Sequence, residues 1–353
     1  MTQVALGGAS MFAALLTTVL ALATIETPML VGGNPYDDRP PEWLVRFDGE
    51  VGPCSGFLVA PAWVVTAAHC YRATETAQVG IAHREEQVTT HDVIEWVPYP
   101  EWGDCHYCRK HDLALAKIDP PAWEVKTLDI AESPPSLGAW EGTVGGWGNY
   151  EFAPDGPDVD VDAPMWKEVG EIVECEHFLD TTSICLTLED ASVCNGDSGS
   201  PLLGSNGLAY GIASRGDGVC GLGSHTIYTD LTREDHRSWI RSTVAGNIKA
   251  NFEWPEPEPK GISIAGGWAF SAGVGIRPLV QLWIDREYSI SMPCCSDRAD
   301  VAAVFPEAPV LSGFAGAFNW SGLLEPGNHG LQVIIEDHEG SRRILEKEIY
   351  VIE

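Results

Sequence analysis

Three short segments of this chain carry side chains that together could turn a hydroxyl into a nucleophile. Ser198 lies in the segment GDSGSP, His69 in TAAHC and Asp112 in HDLAL. Acyl transfer requires a hydroxyl nucleophile, a base that takes its proton and a carboxylate that orients the base. Each motif alone is weak evidence. Together, in the chain order His, Asp, Ser, they predict an acyl-transfer site.

These motifs resemble those of the trypsin- and chymotrypsin-like serine peptidases. The resemblance runs from about Leu30 to about Ile248. Its most specific parts are TAAHC at 66–70, GGWG at 145–148 and CNGDSGSP at 194–201. It implies an endopeptidase that hydrolyses protein or peptide substrates through an acyl-serine intermediate and that needs no cofactor or metal for its chemistry.

The resemblance assigns a role to each of the three side chains. Ser198 attacks the substrate, His69 acts first as base and then as acid, and Asp112 orients the imidazole. The residues alone leave other interpretations open. Ser198 would then be a turn residue, His69 a metal ligand or a core residue, and Asp104 the carboxylate in place of Asp112.

Substrate-binding residues follow from the same resemblance. The backbone N–H groups of Gly196 and Ser198 would form an oxyanion hole. Ser192 stands at the base of the specificity pocket, where trypsin-like enzymes have an aspartate. The other pocket residues implied are Val193, Ser214, Gly216 and Thr226. We therefore predict cleavage after neutral residues of small to medium size. Nearby Asp190 and Asp217 leave a preference for basic residues as the alternative.

The segment that begins at Leu30 resembles the mature N-terminus of the family. There a freed α-amino group pairs with the aspartate that precedes the nucleophile, here Asp197. A buried carboxylate without a partner costs roughly 3–5 kcal/mol, so the new amine should order the pocket. Met29 precedes the cleavage point, where a basic residue is usual. We therefore predict a zymogen that is activated by a non-tryptic peptidase or by the enzyme itself.

Ten cysteines favour an oxidising compartment. The resemblance pairs six of them: Cys54 with Cys70, Cys175 with Cys185, and Cys194 with Cys220.

The remaining cysteines form two close groups. For Cys105 and Cys108 a local disulfide is the default expectation. A zinc site that adds His106 and His111, or a redox centre, is the alternative. Cys294 and Cys295 are adjacent, which suggests a vicinal disulfide.

The first 23 residues are predicted to be a signal peptide. The apolar run from Met11 to Ala23 is too short to span a bilayer and ends in small residues. No Lys or Arg precedes this run, which leaves an uncleaved anchor or a misassigned start as alternatives. Residues 24–29 follow as a short pro-segment. We expect a secreted protein that is extracellular, periplasmic or on the cell surface.

A formal net charge of −30, from 51 acidic and 21 basic residues, excludes charge-driven binding to nucleic acid or to anionic membranes. Part of this charge lies in residues 151–171, which we interpret as a solvated insertion, with calcium binding as the alternative.

Short apolar strands alternate with Gly, Pro and Asp turns over residues 30–250, a pattern typical of all-β proteins. The family resemblance implies a double β-barrel that ends in a helix, for which Glu234–Val244 is the candidate. Residues 251–260 form a Pro- and Glu-rich linker. Residues 261–353 predict a small β-sandwich that is similar to the immunoglobulin-like accessory domains of bacterial secreted proteins.

The sequence thus predicts a secreted, monomeric serine endopeptidase with an accessory domain. The alternative is a catalytically silent, peptidase-like binding protein that acts through its C-terminal domain. In either case that domain could bind a cell-surface or matrix partner.

Overall fold

The structure is a computed structural model in which defined parts of the chain are described. These are residues 34–35, 41–48, 53–72, 76–79, 89–103, 110–148, 165–168, 170–175, 181–188, 191–216, 225–254, 262–277 and 279–351. Residues 1–33, which include the predicted signal peptide, pro-segment and Leu30, lie outside them.

Strands dominate the described residues. In chain order they are β1 (Asn34–Pro35), β2 (Leu44–Asp48), β3 (Cys54–Ala60), β4 (Trp63–Thr66), β5 (Thr76–Val79), β6 (Thr89–Pro98), β7 (Ala114–Asp119), β8 (Gly138–Ala139), β9 (Gly142–Gly146), β10 (Met165–Glu168), β11 (Glu171–Val173), β12 (Ser183–Thr187), β13 (Pro201–Gly204), β14 (Ala209–Gly216), β15 (His225–Asp230), β16 (Ile248–Glu253), β17 (Ile262–Ser271), β18 (Leu279–Ile284), β19 (Tyr288–Asp297), β20 (Leu311–Asn319), β21 (Gly327–Glu336) and β22 (Arg342–Val351). The helices are a 3₁₀ helix (Ala68–Arg72), α1 (Glu234–Ala245), α2 (Ala299–Val304) and α3 (Trp320–Leu323).

The first barrel closes in the order β2-β3-β4-β7-β6-β5. Successive side chains point to opposite sides of a strand, and consecutive residues of β3 and β4 are buried, so both faces of these strands are covered. Leu58 and Val64 pack with the barrel interior, whereas Phe57 and Val65 pack with a cluster that includes Ile240 of α1. The barrel is therefore held against the rest of the peptidase portion by its own strands.

The second sheet has the strand order β1-β10-β9-β13-β14-β15-β12-β11-β8. Its core contains Val144, Leu202, Ala213 and Tyr228, all fully or almost fully buried. With two barrel-like sheets and few helices among the described residues, the predicted all-β double barrel is confirmed.

Helix α1 matches the predicted C-terminal helix to within one residue. Glu234 and Asp235 lie in its first turn, where acidic side chains favour the helix dipole. It ends at Ala245, and the next residue, Gly246, has a φ of 51° and donates its N–H to Thr243 O. His236, Ile240 and Val244 recur every four residues and form its buried face. Among the described residues, no helix is both long and apolar enough to cross a membrane.

Strands β16 to β22 form a separate sheet with the order β16-β17-β20-β19-β18-β21-β22. Strand β19 pairs with β18 up to Pro293 and with β20 from Cys294 onward, so it passes from one half of the sheet to the other. Side chains from both halves, such as Phe314 and Val333, share one hydrophobic core. This arrangement agrees with the predicted sandwich.

The predicted linker is wrong at its N-terminal end. Strand β16 pairs with β17 and includes residues 251–253, which belong to the predicted linker. Ile248 and Phe252 point into the core of the sandwich, with Ala250 packed against it. This alternation ends just before the Pro-rich run, so the end of the strand is predicted from the sequence to be part of the linker. Residues 255–260 lie outside the described part of the chain, and the remaining domain boundaries stay predictions.

Arg342 on β22 connects the sandwich to the first barrel. Its Nη1 donates to Thr127 Oγ1 at 2.6 Å and to Val59 O at 3.2 Å. Its Nε and Nη2 donate to Glu336 Oε1 at 2.9 and 2.6 Å. A mostly buried guanidinium requires a paired carboxylate and satisfied N–H groups, and Arg342 has both.

The turn between β21 and β22 lies against the barrel. The Asp337 carboxylate accepts hydrogen bonds from the N–H groups of Glu339 and Ser341, both at 3.0 Å, and so fixes the turn. Gly340 has a φ of 80°, and Ala62 N donates to its carbonyl oxygen at 3.3 Å. A Cβ on Gly340 would lie 2.6 Å from Ala62 Cβ. The two portions of the chain are therefore packed together directly.

Replacing Gly340 with alanine should destabilise the protein by opening this contact. Gly273 also has a φ of 80°, but its Cβ would have no atom within 4 Å. Both changes carry the same backbone penalty. We therefore expect Gly340→Ala to lower the free energy of unfolding, measured with denaturant, by about 1–3 kcal/mol more than Gly273→Ala does. Equal losses would show that the contact between the two portions does not contribute to stability.

Candidate active site

The three predicted side chains meet in one hydrogen-bonded chain. His69 Nε2 is 2.8 Å from Ser198 Oγ, and His69 Nδ1 is 2.7 Å from Asp112 Oδ2. His69 stands in the 3₁₀ helix after β4, Asp112 lies two residues before β7, and Ser198 precedes β13. The fold thus brings together side chains separated by as many as 129 positions.

Asp112 is fully buried and accepts two further hydrogen bonds. His69 N donates to its Oδ1 at 2.9 Å, and Ser214 Oγ donates to its Oδ2 at 2.6 Å. Burial alone would raise the pKa of Asp112, but the His69 imidazole and these hydrogen bonds hold that pKa below its usual value. The ionised carboxylate requires the proton on His69 Nδ1, which leaves the lone pair of Nε2 facing Ser198.

A β-bulge directs Ser214 to this carboxylate. The pairing of β14 with β15 shifts register between Ala213 and Arg215, so Ser214 is the extra residue. Bulges turn a side chain away from the regular alternation of a strand. Here the turned side chain supplies a hydroxyl to Asp112.

The turn that carries Ser198 requires glycine. Gly196 has a φ of 99°, and a Cβ there would lie 2.8 Å from Gly148 Cα and 3.0 Å from Trp147 O. Its carbonyl oxygen accepts a hydrogen bond from Ser55 Oγ at 2.8 Å. Within the described residues, the N–H groups of Gly196 and Ser198 donate to no backbone or side-chain acceptor. Two unoccupied donors beside the nucleophile are what an oxyanion hole needs.

Asp197 is a second buried carboxylate, next to the candidate nucleophile. It accepts hydrogen bonds from Gly148 N at 2.8 Å and from Cys194 N at 2.9 Å. Burial raises its pKa to about 7, and these two hydrogen bonds offset only part of that effect. Among the described residues no cationic side chain pairs with it. Leu30, its predicted source of a partner, lies outside them.

The predicted pocket residues lie on three segments: residues 192–193, strand β14 and strand β15. Ser192 is fully buried, and its Oγ donates to Val193 O at 3.2 Å. Thr226 on β15 is buried and stands opposite Gly216 on β14. All the side chains in this set are uncharged, so none of them could balance the charge of a basic substrate side chain. Asp190 and Asp217 lie outside the described residues.

The structure contains a disulfide that fixes the position of His69. Cys54 on β3 is bonded to Cys70, the residue after His69. Two other bridges join Cys175 to Cys185 and Cys294 to Cys295.

Several cysteine predictions fall partly or wholly outside the described residues. Cys194 is disulfide-bonded, but its predicted partner, Cys220, lies outside them. So do Cys105, His106 and Cys108. The acidic residues 151–164 with their proposed calcium site lie outside as well.

Two contributors to the site carry no recognisable signal in the sequence. Ser55 Oγ donates to Gly196 O and accepts from Trp147 N at 3.0 Å, which links the turn to β9. Thr229 Oγ1 donates to Asp112 O at 3.1 Å. Each contact joins residues far apart in the chain, and a Ser or Thr in a strand has no motif that would predict it.

The fold and the hydrogen-bonded Ser–His–Asp chain together define a hydrolase of the serine peptidase class. The family model described as Trypsin matches residues 30–240. The chain belongs to the trypsin family and is a serine endopeptidase that acts on protein or peptide substrates.

Individual relatives support this assignment. The chain is 32% identical over 235 residues to the thrombin-like enzyme acutin of Deinagkistrodon acutus, covering 63% of this chain and 98% of that protein. It is 30% identical over 250 residues to the snake venom serine protease Haly-2 of Gloydius brevicauda, covering 67% of this chain and 95% of that protein. The solved structure of neuropsin, a serine protease expressed in the limbic system of mouse brain, is similar with a TM-score of 0.53 and 25% identity, covering 60% of this chain and 98% of that one.

The raised pKa of Asp197 predicts a pH-dependent stability for the chain that has not been cleaved before Leu30. The folded carboxyl has a pKa of about 7. The unfolded one has a pKa of about 3.9. Between these values the folded state binds the extra proton, so this group lowers the free energy of unfolding by about 1.4 kcal/mol for each unit of rising pH. Asp197→Asn should remove that slope.

Denaturant unfolding between pH 4 and pH 8 measures this effect, with Asp92→Asn on an exposed strand position as the matched control. We expect the control to keep the wild-type slope. If Asp197→Asn shows the same pH dependence as the wild type, the buried carboxyl is not the group that titrates.

Proposed function

We propose that Ser198 is the nucleophile, His69 the general base and acid, and Asp112 the residue that positions the imidazole. The observation that carries this proposal is the continuous chain from Ser198 Oγ through both nitrogens of His69 to Asp112 Oδ2. Its order and spacing match the requirements for activating a serine hydroxyl.

The geometry supports a two-step hydrolysis. His69 Nε2 takes the Ser198 proton as Oγ attacks the peptide carbonyl, and the N–H groups of Gly196 and Ser198 stabilise the oxyanion. Asp112 stays ionised and stabilises the imidazolium. His69 then protonates the leaving amine, and water repeats the sequence on acyl-Ser198. The loss of one oxyanion donor typically lowers the rate by about 10²–10³.

The pocket favours small to medium neutral residues before the scissile bond. Ser192 supplies no negative charge at the position expected to lie at the base, and Thr226 adds a branched side chain opposite Gly216. Residues such as Ala, Val, Leu or Met fit this description. The edge of β14 at Ser214–Gly216 would pair with the substrate backbone as an added strand.

Activation by a new N-terminus at Leu30 is part of the same proposal. Asp197 is buried with a raised pKa and lacks a cationic partner among the described residues. A free α-amino group would supply that partner, ionise the carboxyl and stabilise the adjacent turn of Ser198.

We also propose secretion and an accessory role for the C-terminal sandwich. The described disulfides suit an oxidising compartment. Two of the relatives are named as venom or thrombin-like enzymes. The sandwich, of the immunoglobulin-like type proposed from the sequence, would attach a monomeric enzyme to a cell-surface or matrix partner.

A panel of peptide substrates that differ only in the residue before the cleavage point tests the proposed specificity. We expect kcat/KM for Ala, Val, Leu or Met to exceed that for Lys, Arg or Phe by at least about tenfold. Thr226→Gly should raise kcat/KM for Phe by about tenfold, because it removes the side chain that narrows the pocket. Thr226→Ser should change it less.

Ser198→Ala controls for contaminating peptidases and should reduce kcat by about 10⁶. Ser200→Ala, two residues away, should remain active. Efficient cleavage only after Lys or Arg would contradict the proposed specificity, and a Ser198→Ala enzyme with wild-type activity would contradict the proposed nucleophile.

A further inference from the structure

A second cluster of chemically active side chains lies directly behind Asp112. His111 Nδ1 is 2.8 Å from His236 Nε2. His111, Asp235 and His236 each offer one ligand atom, and these three atoms lie within 4.8 Å of one another. His111 immediately precedes Asp112, while Asp235 and His236 lie in the first turn of α1. None of these three side chains has a role in the proposed mechanism.

The rings of this cluster are held in fixed orientations. His236 Nδ1 faces Asp230 O and must donate to it, so the lone pair of Nε2 points at His111. Tyr99 stacks on His111 with ring centroids 5.0 Å apart and meets His236 edge-on at 4.9 Å. A backbone carbonyl on the far nitrogen of an imidazole is the arrangement that orients histidine ligands in metal sites.

The donor set suits a divalent transition metal. Two imidazole nitrogens and a carboxylate are the ligand types that zinc binds, commonly with a water at an open fourth position. A tetrahedral ion at about 2.0–2.1 Å from each nitrogen needs them about 3.3 Å apart. The two nitrogens therefore have to separate by about half an ångström, and the rings have to turn so that both lone pairs face the ion. The ion takes the place of the proton on His111 Nδ1, and His111 carries its proton on Nε2 instead.

Some charged groups near the cluster favour the binding of a cation and others oppose it. Glu101 has a carboxylate oxygen 3.6 Å from His111 Nε2 and adds negative charge. Arg233 donates to both oxygens of Asp235, at 3.0 and 2.7 Å, and competes with a cation for that carboxylate. Asp235 is exposed, so it gives an ion a route from solvent, whereas His236 is fully buried.

We propose that His111, Asp235 and His236 form a binding site for a divalent transition metal such as zinc, and that the bound ion lowers peptidase activity. His111 has a φ of 54°, a left-handed conformation held in part by its ring contacts. Its carbonyl oxygen accepts from Leu113 N at 2.7 Å, across Asp112. Moving the His111 ring therefore displaces the backbone of Asp112, and small displacements of a catalytic group lower rates strongly.

This site differs from the zinc alternative of the sequence analysis. That alternative joined His111 to His106, Cys105 and Cys108, which lie outside the described residues. A second nearby group, Cys54 with His69 and Cys70, offers no thiolate because its cysteines form a disulfide.

Metal binding is measured first on the full chain carrying Ser198→Ala, which prevents self-cleavage. Titration with Co²⁺ should produce the visible absorption of a tetrahedral site, and Zn²⁺ should displace it. His111→Gln and Asp235→Asn in the same background should each weaken binding by at least about tenfold. His338→Gln, an exposed histidine of the sandwich, is the control and should bind as the parent does.

Activity is measured second, on processed enzyme with an unchanged Ser198. Zn²⁺ should lower kcat of the parent and of His338→Gln, with little effect on Asp235→Asn. Asp235 is exposed, so that variant should fold even if changes at the buried His236 do not. This inhibition rests on the proposed function, whereas the binding measurement does not.

The outcomes are distinct. Absence of the Co²⁺ spectrum, or binding that persists unchanged in His111→Gln and Asp235→Asn, overturns the site. Binding without inhibition overturns the regulatory part. Inhibition that persists in Asp235→Asn shows that the ion acts at another site, and this result also overturns the regulatory part of the proposal. Metal-free enzyme that hydrolyses no peptide would contradict the proposed function while leaving the binding result intact.

Discussion

The buried negative charge of Asp112 is the constraint on which the rest of the site depends. An ionised carboxylate taken out of water is costly unless hydrogen-bond donors surround it. Asp112 has three donor groups: His69 N, His69 Nδ1 and Ser214 Oγ. Two come from His69 in the 3₁₀ helix and one from Ser214 on β14, and together they fix both the charge of Asp112 and the side of the imidazole that faces Ser198.

Those donors explain why two sheets and a disulfide are needed around one histidine. The first barrel positions His69 just after β4 and Asp112 just before the paired strand β7, and the Cys54–Cys70 bridge ties the His69 helix to β3. The second sheet delivers Ser214 through a bulge in β14. Ser55 then joins the two halves by bonding Gly196 O. The candidate catalytic arrangement therefore lies where the barrels meet, and neither sheet could assemble it alone.

The catalytic motifs can be recognised in the sequence, whereas contacts between distant segments of the chain cannot. The motifs around His69, Asp112 and Ser198 identify the family, and with it the double barrel and the terminal helix. Contacts such as Thr229 to Asp112 O, or His236 to His111, depend on which strands and helix turns become neighbours. The misplaced linker has a similar cause, because the strand at 248–253 is recognised as part of the sandwich only through its pairing with β17.

Covalent labelling of Ser198 tests the central claim most directly. Intact-mass measurement after treatment with a fluorophosphonate, with and without cleavage before Leu30, would report whether an activated serine is present. We predict a single adduct on Ser198, strongest after cleavage and absent in Ser198→Ala. Correctly processed and folded protein that forms no adduct would contradict the account, since the hydrogen-bonded chain from Ser198 to Asp112 would then not activate the serine.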